Sequence, residues 1–305
     1  MSGLSRQGTK LDLAAWRKAG KEVMDHMRIA LAQTRQSADR DDNRAAILQA
    51  IDDAAARGVN ILCFPETQTV GYRIDITNPD APVPAAWLDE VHGEVAHRCG
   101  ALGMACVLGT ETPSEEPGSK PYNTALVIGP DGEIRGRHHK TMLTPLDAVA
   151  YSPGTEQHTF ELFGVTVGVV ICFEALRFAQ TTAECVRRGA QIVLHPQNNT
   201  TRPNDWKVPI HHAMIVTRAA ENTVWFASCN ACLRPHQNSR SLIVAPDGRI
   251  HGQTELCREE LLVRDIDVRQ ATRAMFRMGE DPAGALPDTA GPLFADTVKP
   301  EEYEG

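Results

Sequence analysis

The 305-residue chain has no apolar run near the roughly 18 to 20 residues that a membrane-spanning helix needs. It also has no excess of positive charge, because 39 acidic side chains outnumber 31 lysines and arginines, for a formal net charge of −8. No basic block interleaved with aromatic residues occurs, and no GxxxxGK loop is present. These absences argue against a membrane protein, a nucleic-acid-binding protein and an ATP-using synthetase.

The sequence also lacks the patterns of a secreted, disulfide-rich protein. Its eight cysteines are spread through apolar strand and helix patterns, unlike the dense frameworks of small secreted domains. Residues 1–26 are polar, without the unbroken apolar segment of a secretory signal, and we interpret them as an N-terminal extension. We therefore expect a cytoplasmic protein whose cysteines are reduced.

Short apolar runs alternate with amphipathic stretches through residues 27–278, which we interpret as one domain because no linker rich in Pro, Gly or Ser divides them. Pro-Asp-Gly turns at 130–132 and 246–248 join strands into hairpins. A sheet covered by helices on one face would leave its other face bare, so two such sheets must stack face to face. The pattern predicts an α/β protein, a four-layer α-β-β-α sandwich, followed by a tail at residues 279–305.

Three side chains that could carry chemistry follow predicted strands. Cys172 stands between the strand GVTVGVVIC and a helix, where the helix N-terminus lowers the pKa of a thiol towards the thiolate. Glu66 follows the strand NILCF, and Lys140 follows the second strand of the first hairpin. Open α/β sheets bind ligands at the carboxyl ends of strands. Taken singly, a packed cysteine, a solvated carboxylate and a surface lysine are ordinary alternatives.

The segments around these residues occur in a specific order: FPET (64–67), HHKTMLTP (138–145) and VICFE (170–174). Together they resemble the signatures of the carbon–nitrogen hydrolase (nitrilase-like) superfamily, with glutamate, lysine and cysteine 74 and 32 residues apart. Further similar segments, among them PYNTALVIGPDGEIRGRHHK and RAAENTVWFASCN, extend the resemblance from residue 27 to residue 267. The resemblance implies the same four-layer sandwich.

The resemblance also implies a cysteine-dependent hydrolase that cleaves a non-peptide C–N bond and releases ammonia. Glu66 would be the general base, Cys172 the nucleophile of a thioester-like acyl-enzyme, and Lys140 the oxyanion stabiliser. The backbone N–H of Phe173 would be a second oxyanion donor. The family uses no metal and no organic cofactor, and its members are homodimers or higher homo-oligomers. The substrate would be a small-molecule amide or an N-carbamoyl (ureido) amine, with nitriles less favoured.

Five further residues are candidates for the site. Asp147 stands where many relatives carry a second glutamate, and it is either a shorter acid of the same type or a loop residue. Asn198 and Asn199 lie in a loop where relatives bind substrate, although Asn-Asn-Thr is also ordinary turn chemistry. Tyr72 and Tyr122 are predicted pocket walls, with core packing as the alternative.

Two other functions stay open. Cys229 and Cys232 form a CxxC pair with His236 four residues on, which could indicate a zinc or redox site, but no second pair supplies the remaining ligands. The substitutions at Asp147 and at Met142, where relatives have histidine, leave room for a catalytically inactive small-molecule-binding or interaction protein. Alkylation of the predicted nucleophile by iodoacetamide at neutral pH separates that alternative from an enzyme.

Overall fold

The computed structural model describes residues 24–73, 81–114, 116, 118–199 and 206–274. Its first part contains strands and helices β1 (His26–Gln33), α1 (Arg40–Ala55), β2 (Ile61–Cys63), α2 (Ala85–Leu102), β3 (Ala105–Thr112), β4 (Tyr122–Ile128) and β5 (Ile134–His139). Its second part contains α3 (Asp147–Ala150), β6 (His158–Leu162), β7 (Val165–Val169), α4 (Phe173–Arg177), α5 (Ala179–Arg187), β8 (Ile192–Gln197), α6 (Lys207–Asn222), β9 (Trp225–Asn230), β10 (Leu242–Val244), β11 (Ile250–Gln253) and β12 (Glu260–Asp267). None of the helices in these residues is long and apolar enough to cross a membrane. Most of the predicted N-terminal extension and all of the predicted tail lie outside the described residues.

These strands form two six-stranded sheets. The first has the order β12-β1-β2-β3-β4-β5 and the second the order β11-β10-β9-β8-β7-β6. The central strands β1, β2 and β3 are parallel, as are β7, β8 and β9. The outer strands are antiparallel to their neighbours. Strand β12 comes late in the chain but completes the first sheet, since it pairs with β1 from His26↔Asp267 to Gln33↔Glu260.

Three apolar cores separate four layers. Strand β1 shows how the sequence builds them, because successive side chains of a strand point to opposite faces. Ile29 and Leu31 enter the core between the two sheets, whereas Ala30 and Ala32 face the layer formed by α1 and α2. On the outer face of the second sheet, α5 and α6 cover a third core. The predicted α-β-β-α sandwich is therefore confirmed.

One hairpin of the second sheet differs from the sequence prediction, which includes β7 but not β6. The two strands pair antiparallel from His158↔Val169 to Leu162↔Val165. The turn between them is Phe163-Gly164, and both residues have positive φ, +53° and +74°. A two-residue turn of this kind matches the twist of the flanking strands.

The strand directions bring the predicted site residues to one place. Strand β5 is antiparallel to β4, and β4 is antiparallel to β3, so β5 points the same way as β2. The loops after β2 and β5, which carry Glu66 and Lys140, therefore leave the same edge of the first sheet. The loops after β7 and β8 carry Cys172 and Asn198 from the second sheet. The Asn198 N–H donates to the Glu66 carboxylate at 2.9 Å, so the two edges meet.

Candidate active site

Cys172 lies at a sharp turn between β7 and α4. Its backbone has φ +47° and ψ −106°, a conformation that a residue with a Cβ rarely adopts. The turn is tied to the end of β8, because the Cys172 N–H donates to the Pro196 carbonyl at 2.8 Å. Such strain persists only where the surrounding structure enforces it, and it is typical of functional sites. The residue is 7% exposed, so a substrate must enter a recess to reach the sulfur.

Glu66 follows β2 in a loop that lies directly on β3. A Cβ on Gly109 would come within 1.8 Å of the Pro65 carbonyl oxygen, so only glycine allows this close approach. The Glu66 side chain is 1% exposed. Its carboxylate accepts three hydrogen bonds, from Lys140 Nζ at 2.6 Å, Asn123 Nδ2 at 2.7 Å and the Asn198 N–H at 2.9 Å.

Lys140 follows β5, and its ammonium group lies between two carboxylates. Nζ donates to Glu66 Oε1 at 2.6 Å and to Asp147 Oδ2 at 2.9 Å. Burial lowers the pKa of Lys140, but the negative charge of Glu66 and the other acidic groups outweighs burial, and the pKa lies above its ordinary value. Lys140 is therefore a fixed cation in the interior that keeps its proton at neutral pH.

Asp147 begins the short helix α3, and Thr144 fixes it there. The Thr144 N–H donates to Asp147 Oδ2 and the Asp147 N–H donates to Thr144 Oγ1, both at 2.9 Å, a reciprocal pair of the capping-box type. The Tyr72 hydroxyl donates a short hydrogen bond to Asp147 Oδ1. Burial raises the pKa of Asp147, but Lys140 outweighs it and the pKa lies below its ordinary value. The aspartate side chain thus reaches the lysine despite its shorter length, and Tyr72 supports this acid.

The thiol of Cys172 feels the charges of this buried cluster. Burial and the negative charge of Glu66 raise the thiol pKa well above its ordinary value, and Lys140 only partly offsets them. The sequence-based expectation of a lowered pKa is wrong, because burial is the largest influence on this thiol and raises its pKa. Burial also raises the pKa of Glu66. The resting site therefore holds a neutral thiol near a carboxylate with increased proton affinity, an arrangement suited to general-base catalysis.

Two consecutive asparagines in the loop after β8 lie near the Cys172 thiol. The Asn198 N–H bonds Glu66, and the Asn198 backbone also lowers the pKa of the thiol. Asn199 Nδ2 donates to the sulfur at 3.6 Å. Asn199 is held in turn, since Nδ2 donates to Gln197 Oε1 at 2.5 Å and its N–H donates to Asn230 Oδ1 at 2.8 Å. The structure therefore brings both predicted asparagines to the neighbourhood of Cys172.

Of the other two predicted site residues, Phe173 directly follows Cys172, whereas Tyr122 packs on a histidine ring. Phe173 is the first residue of α4, so its N–H is among the helix-start amides that have no acceptor within the helix, one residue from the sulfur. The Tyr122 ring stacks on His139 with 4.4 Å between centroids. No hydrogen bond or ring contact among the described residues joins Tyr122 to the three predicted catalytic residues.

The sequence predictions do not include two amide side chains at the site. Gln36 Nε2 donates to the Glu66 backbone carbonyl at 2.6 Å, and Gln36 Oε1 accepts from Asn198 Nδ2 at 2.7 Å, so Gln36 joins the two loops. Asn123 donates directly to the Glu66 carboxylate. Asn123 lies in the PYNTALVIG segment, whose resemblance to the superfamily is the one signal that could have found it. Nothing in the spacing around Gln36 distinguishes it.

Both cysteines of the CxxC pair are buried. Cys229 belongs to the core between the sheets, where its sulfur donates to the Cys63 carbonyl at 3.2 Å. Cys232 is 2% exposed. All eight cysteines are free thiols. In the part of the chain that the structure describes, no three or more His, Cys, Asp or Glu side chains are grouped so that they could hold a metal ion.

Several known proteins are similar to this chain over most of its length. The family model described as carbon-nitrogen hydrolase matches residues 28–275. The omega-amidase NIT2 of Mus musculus is 28% identical over 267 residues, which cover 81% of this chain and 91% of that protein. The omega-amidase NIT2-B of Xenopus laevis is 28% identical over 262 residues, 81% of this chain and 90% of that protein. A mutant of the amidase from Nesterenkonia sp. AN1 in complex with butyramide has a TM-score of 0.69 at 25% identity, covering 81% of this chain and 93% of that one.

Proposed function

The chain belongs to the carbon-nitrogen hydrolase family, and we propose that it hydrolyses the C–N bond of a small amide through a thioester on Cys172. In this proposal Glu66 is the general base and Lys140 stabilises the oxyanion. The observation that carries it is the buried 2.6 Å contact between Glu66 and Lys140 within electrostatic reach of the Cys172 thiol. The omega-amidase and amidase names of the similar proteins support an amide as the substrate.

The first half of the reaction makes the acyl-enzyme. Glu66 takes the proton of the Cys172 thiol as the sulfur attacks the amide carbon and a C–S bond forms. The carbonyl electrons move onto oxygen, where Lys140 Nζ and the Phe173 N–H stabilise the negative charge. Glu66 then gives its proton to the amide nitrogen, the C–N bond breaks and ammonia leaves. A thioester between the acyl group and the sulfur remains.

The second half releases the acid. Glu66 takes a proton from a water molecule, whose oxygen attacks the thioester carbon. The C–S bond breaks, and the sulfur takes back the proton that Glu66 holds, so the neutral thiol and the free carboxylate of Glu66 return. The raised pKa of Glu66 supports this assignment, because the same group must accept and return a proton twice.

Asp147 has the role of second acid in this proposal. A lysine ammonium has three N–H donors. Two of them bond Glu66 and Asp147, at 2.6 Å and 2.9 Å. The third is the donor that would meet the oxyanion, so the two carboxylates together fix its direction. We assign substrate contacts beside the sulfur to Asn199, because its amide is held by neighbours before any substrate binds.

The proposed activity is tested by ammonia release from a panel of ω-amides, N-carbamoyl amines, N-carbamoyl amino acids and nitriles. We expect release from at least one class of amide, with Cys172→Ala abolishing turnover and leaving the fold intact. Glu66→Gln should reduce the rate on the order of 10² to 10⁴ as a lost general base. The matched control is Cys257→Ala, a half-buried cysteine elsewhere in the chain, which should keep wild-type turnover. Wild-type ammonia release by Cys172→Ala or Glu66→Gln would show the assignment to be wrong.

We also propose that the protein is a cytoplasmic homodimer or larger homo-oligomer. The eight free thiols support a reducing compartment. Exposed apolar side chains at the start of α6, Trp206 at 60% and Ile210 at 41%, support contact with another subunit. Light scattering after size exclusion should give a mass of at least two chains, and fractionation should place the protein in the cytosol. A monomer at micromolar concentration, or a secreted protein, would contradict these assignments.

A further inference from the structure

Glu174 is a buried carboxylate that the proposed reaction does not use. It lies in α4, two residues after Cys172, and is 0% exposed. Its oxygens accept five hydrogen bonds, from His138 Nε2 at 2.9 Å, the Thr141 N–H at 2.7 Å, Thr141 Oγ1 at 2.6 Å, Gln157 Nε2 at 3.2 Å and the Ile171 N–H at 2.5 Å. Because a carboxylate offers about four lone-pair sites, these donors saturate it.

Four of the five donors flank two of the three residues that carry the proposed reaction, Lys140 and Cys172. His138 and Thr141 lie on either side of Lys140 in the chain, in β5 and in the loop that follows it. Ile171 directly precedes the nucleophile on the second sheet. The Glu174 carboxylate therefore joins the segment that carries the ammonium to the segment that carries the sulfur. Two of the five bonds come from backbone N–H groups, so the carboxylate holds the chain itself.

Glu174 is ionised and has no proton to supply. Burial raises its pKa, but the interaction with His138 and the donated hydrogen bonds outweigh burial and lower the pKa to about 2. Its oxygens are saturated and buried, so they do not reach a substrate. These properties exclude a role as general acid or as substrate ligand, and they leave a role in geometry.

We propose that Glu174 is a positioning residue, which sets the distance between the Lys140 ammonium and the Cys172 sulfur across the two sheets. The inference rests on the proposed amide hydrolysis for its readout in turnover. A displacement of about 1 Å in a catalytic group can reduce the rate about 10²-fold. Loss of the shared acceptor would release both segments together, and so would change the relative placement of the two groups.

Glu174→Gln is the direct test, because it keeps the shape of the side chain but replaces one acceptor oxygen by an NH2 donor. In one orientation the new NH2 faces the Ile171 N–H, which donates at 2.5 Å in the wild type. In the other orientation it faces the two donors of Thr141. Both orientations place donors against donors. We expect kcat per reactive Cys172 thiol to fall about 10²-fold while KM changes by less than about threefold.

Two readouts distinguish positioning from a general loss of structure. Turnover is expressed per Cys172 thiol that iodoacetamide labels, and the pH midpoint of labelling is measured without any substrate. We expect the midpoint of Glu174→Gln to differ from that of the wild type, because the charges near the thiol set its pKa. Glu174→Asp, which keeps the charge, should recover part of kcat. The control is Glu184→Gln in α5, whose ion pair with Arg188 lies outside the site and whose loss should leave both values unchanged.

A folded Glu174→Gln protein with wild-type kcat per thiol and a wild-type midpoint would overturn the proposal. If that variant does not fold, Thr141→Val is the test, because it removes the hydroxyl donor of Thr141 and keeps the backbone N–H. A decrease of about 3- to 10-fold in kcat per thiol would support the positioning role. Wild-type kcat in Thr141→Val would overturn it. If the wild type releases no ammonia from any amide, the proposed function fails separately. The pH midpoint of iodoacetamide labelling in Glu174→Gln is then the only test. A midpoint that differs from the wild type would support the positioning role of Glu174, and an unchanged midpoint would refute it.

Discussion

Replacing Lys140 with methionine would remove the cation between Glu66 and Asp147 and keep a side chain of similar length. Both carboxylates contact the ammonium, at 2.6 Å and 2.9 Å, and their side chains are 1% and 0% exposed. Removing one partner of a buried ion pair costs about 3–5 kcal/mol, because an uncompensated charge is left in the interior. Each carboxylate keeps other donors, Asn123 on Glu66 and Thr144 on Asp147. We therefore expect Lys140→Met to lower the free energy of unfolding by about 3 kcal/mol at neutral pH, the lower end of that range.

The loss in free energy of unfolding should shrink in acid. Lys140 lowers the pKa of both carboxyl groups in the wild type, so both pKa values rise without it. A carboxyl group with a raised pKa in the folded state destabilises the fold as the pH rises above its unfolded value, about 4. Below that value both groups are protonated in both states and the penalty disappears. The pKa of Lys140 is raised in the folded wild type, so its own contribution is fully present below its unfolded value, about 10.4.

Urea unfolding of wild type and Lys140→Met at about pH 4.5 and about pH 7.5 measures this difference. The control is Arg258→Met, which removes an ion pair with Glu255 whose side chains are 65% and 69% exposed. An exposed ion pair contributes about 1 kcal/mol or less. An equal loss at both pH values, or no loss at neutral pH, would refute the view that the ammonium neutralises two buried carboxylates.

Three further predictions follow from single contacts. Gly109→Ala would place a methyl group within 1.8 Å of the Pro65 carbonyl oxygen, so the free energy of unfolding in urea should fall by about 1–3 kcal/mol or more. Wild-type stability would mean that the close contact between β3 and the Glu66 loop is not required for folding. Tyr72→Phe removes a hydrogen-bond donor from the buried carboxylate of Asp147, so kcat for ammonia release should fall roughly tenfold at similar KM. An unchanged kcat would contradict a role of Tyr72 in holding Asp147. Glu66→Gln removes the negative charge that raises the pKa of the site thiol, so iodoacetamide should label that thiol about tenfold faster near pH 8 even as turnover falls; slower labelling would count against this electrostatic reading.

The scaffold could be predicted where local signals are strong. Buried parallel strands are continuous apolar runs, and the Pro-Asp-Gly turns mark two hairpins. The β6–β7 hairpin could not be predicted in this way, because its turn places Phe163 at φ +53° where asparagine or aspartate is the usual residue. The helices α3 and α4 have four and five residues, too few for an apolar period to show.

The site could be predicted only as far as strand ends and short motifs indicate it. Glu66, Lys140 and Cys172 each follow a strand, so their positions could be inferred before their contacts were known. The contacts of Glu174 could not be inferred, because its donors come from segments up to 36 residues away and no single sequence records which side chains face each other across two sheets. The direction of the pKa shift of Cys172 failed for the same reason, since burial is a property of the packed molecule.

The late return of β12 affects the order in which the molecule can be completed during synthesis. A nascent chain that ends after β5 presents β1 as an open edge, with a row of unpaired N–H and C=O groups that can pair with another polypeptide. Proteins generally fold from the N-terminus as they leave the ribosome, but here the first sheet waits for the last strand of the described chain. Ribosome-stalled chains ending before Glu260 should therefore aggregate or bind chaperones, and extension through Asp267 should relieve both.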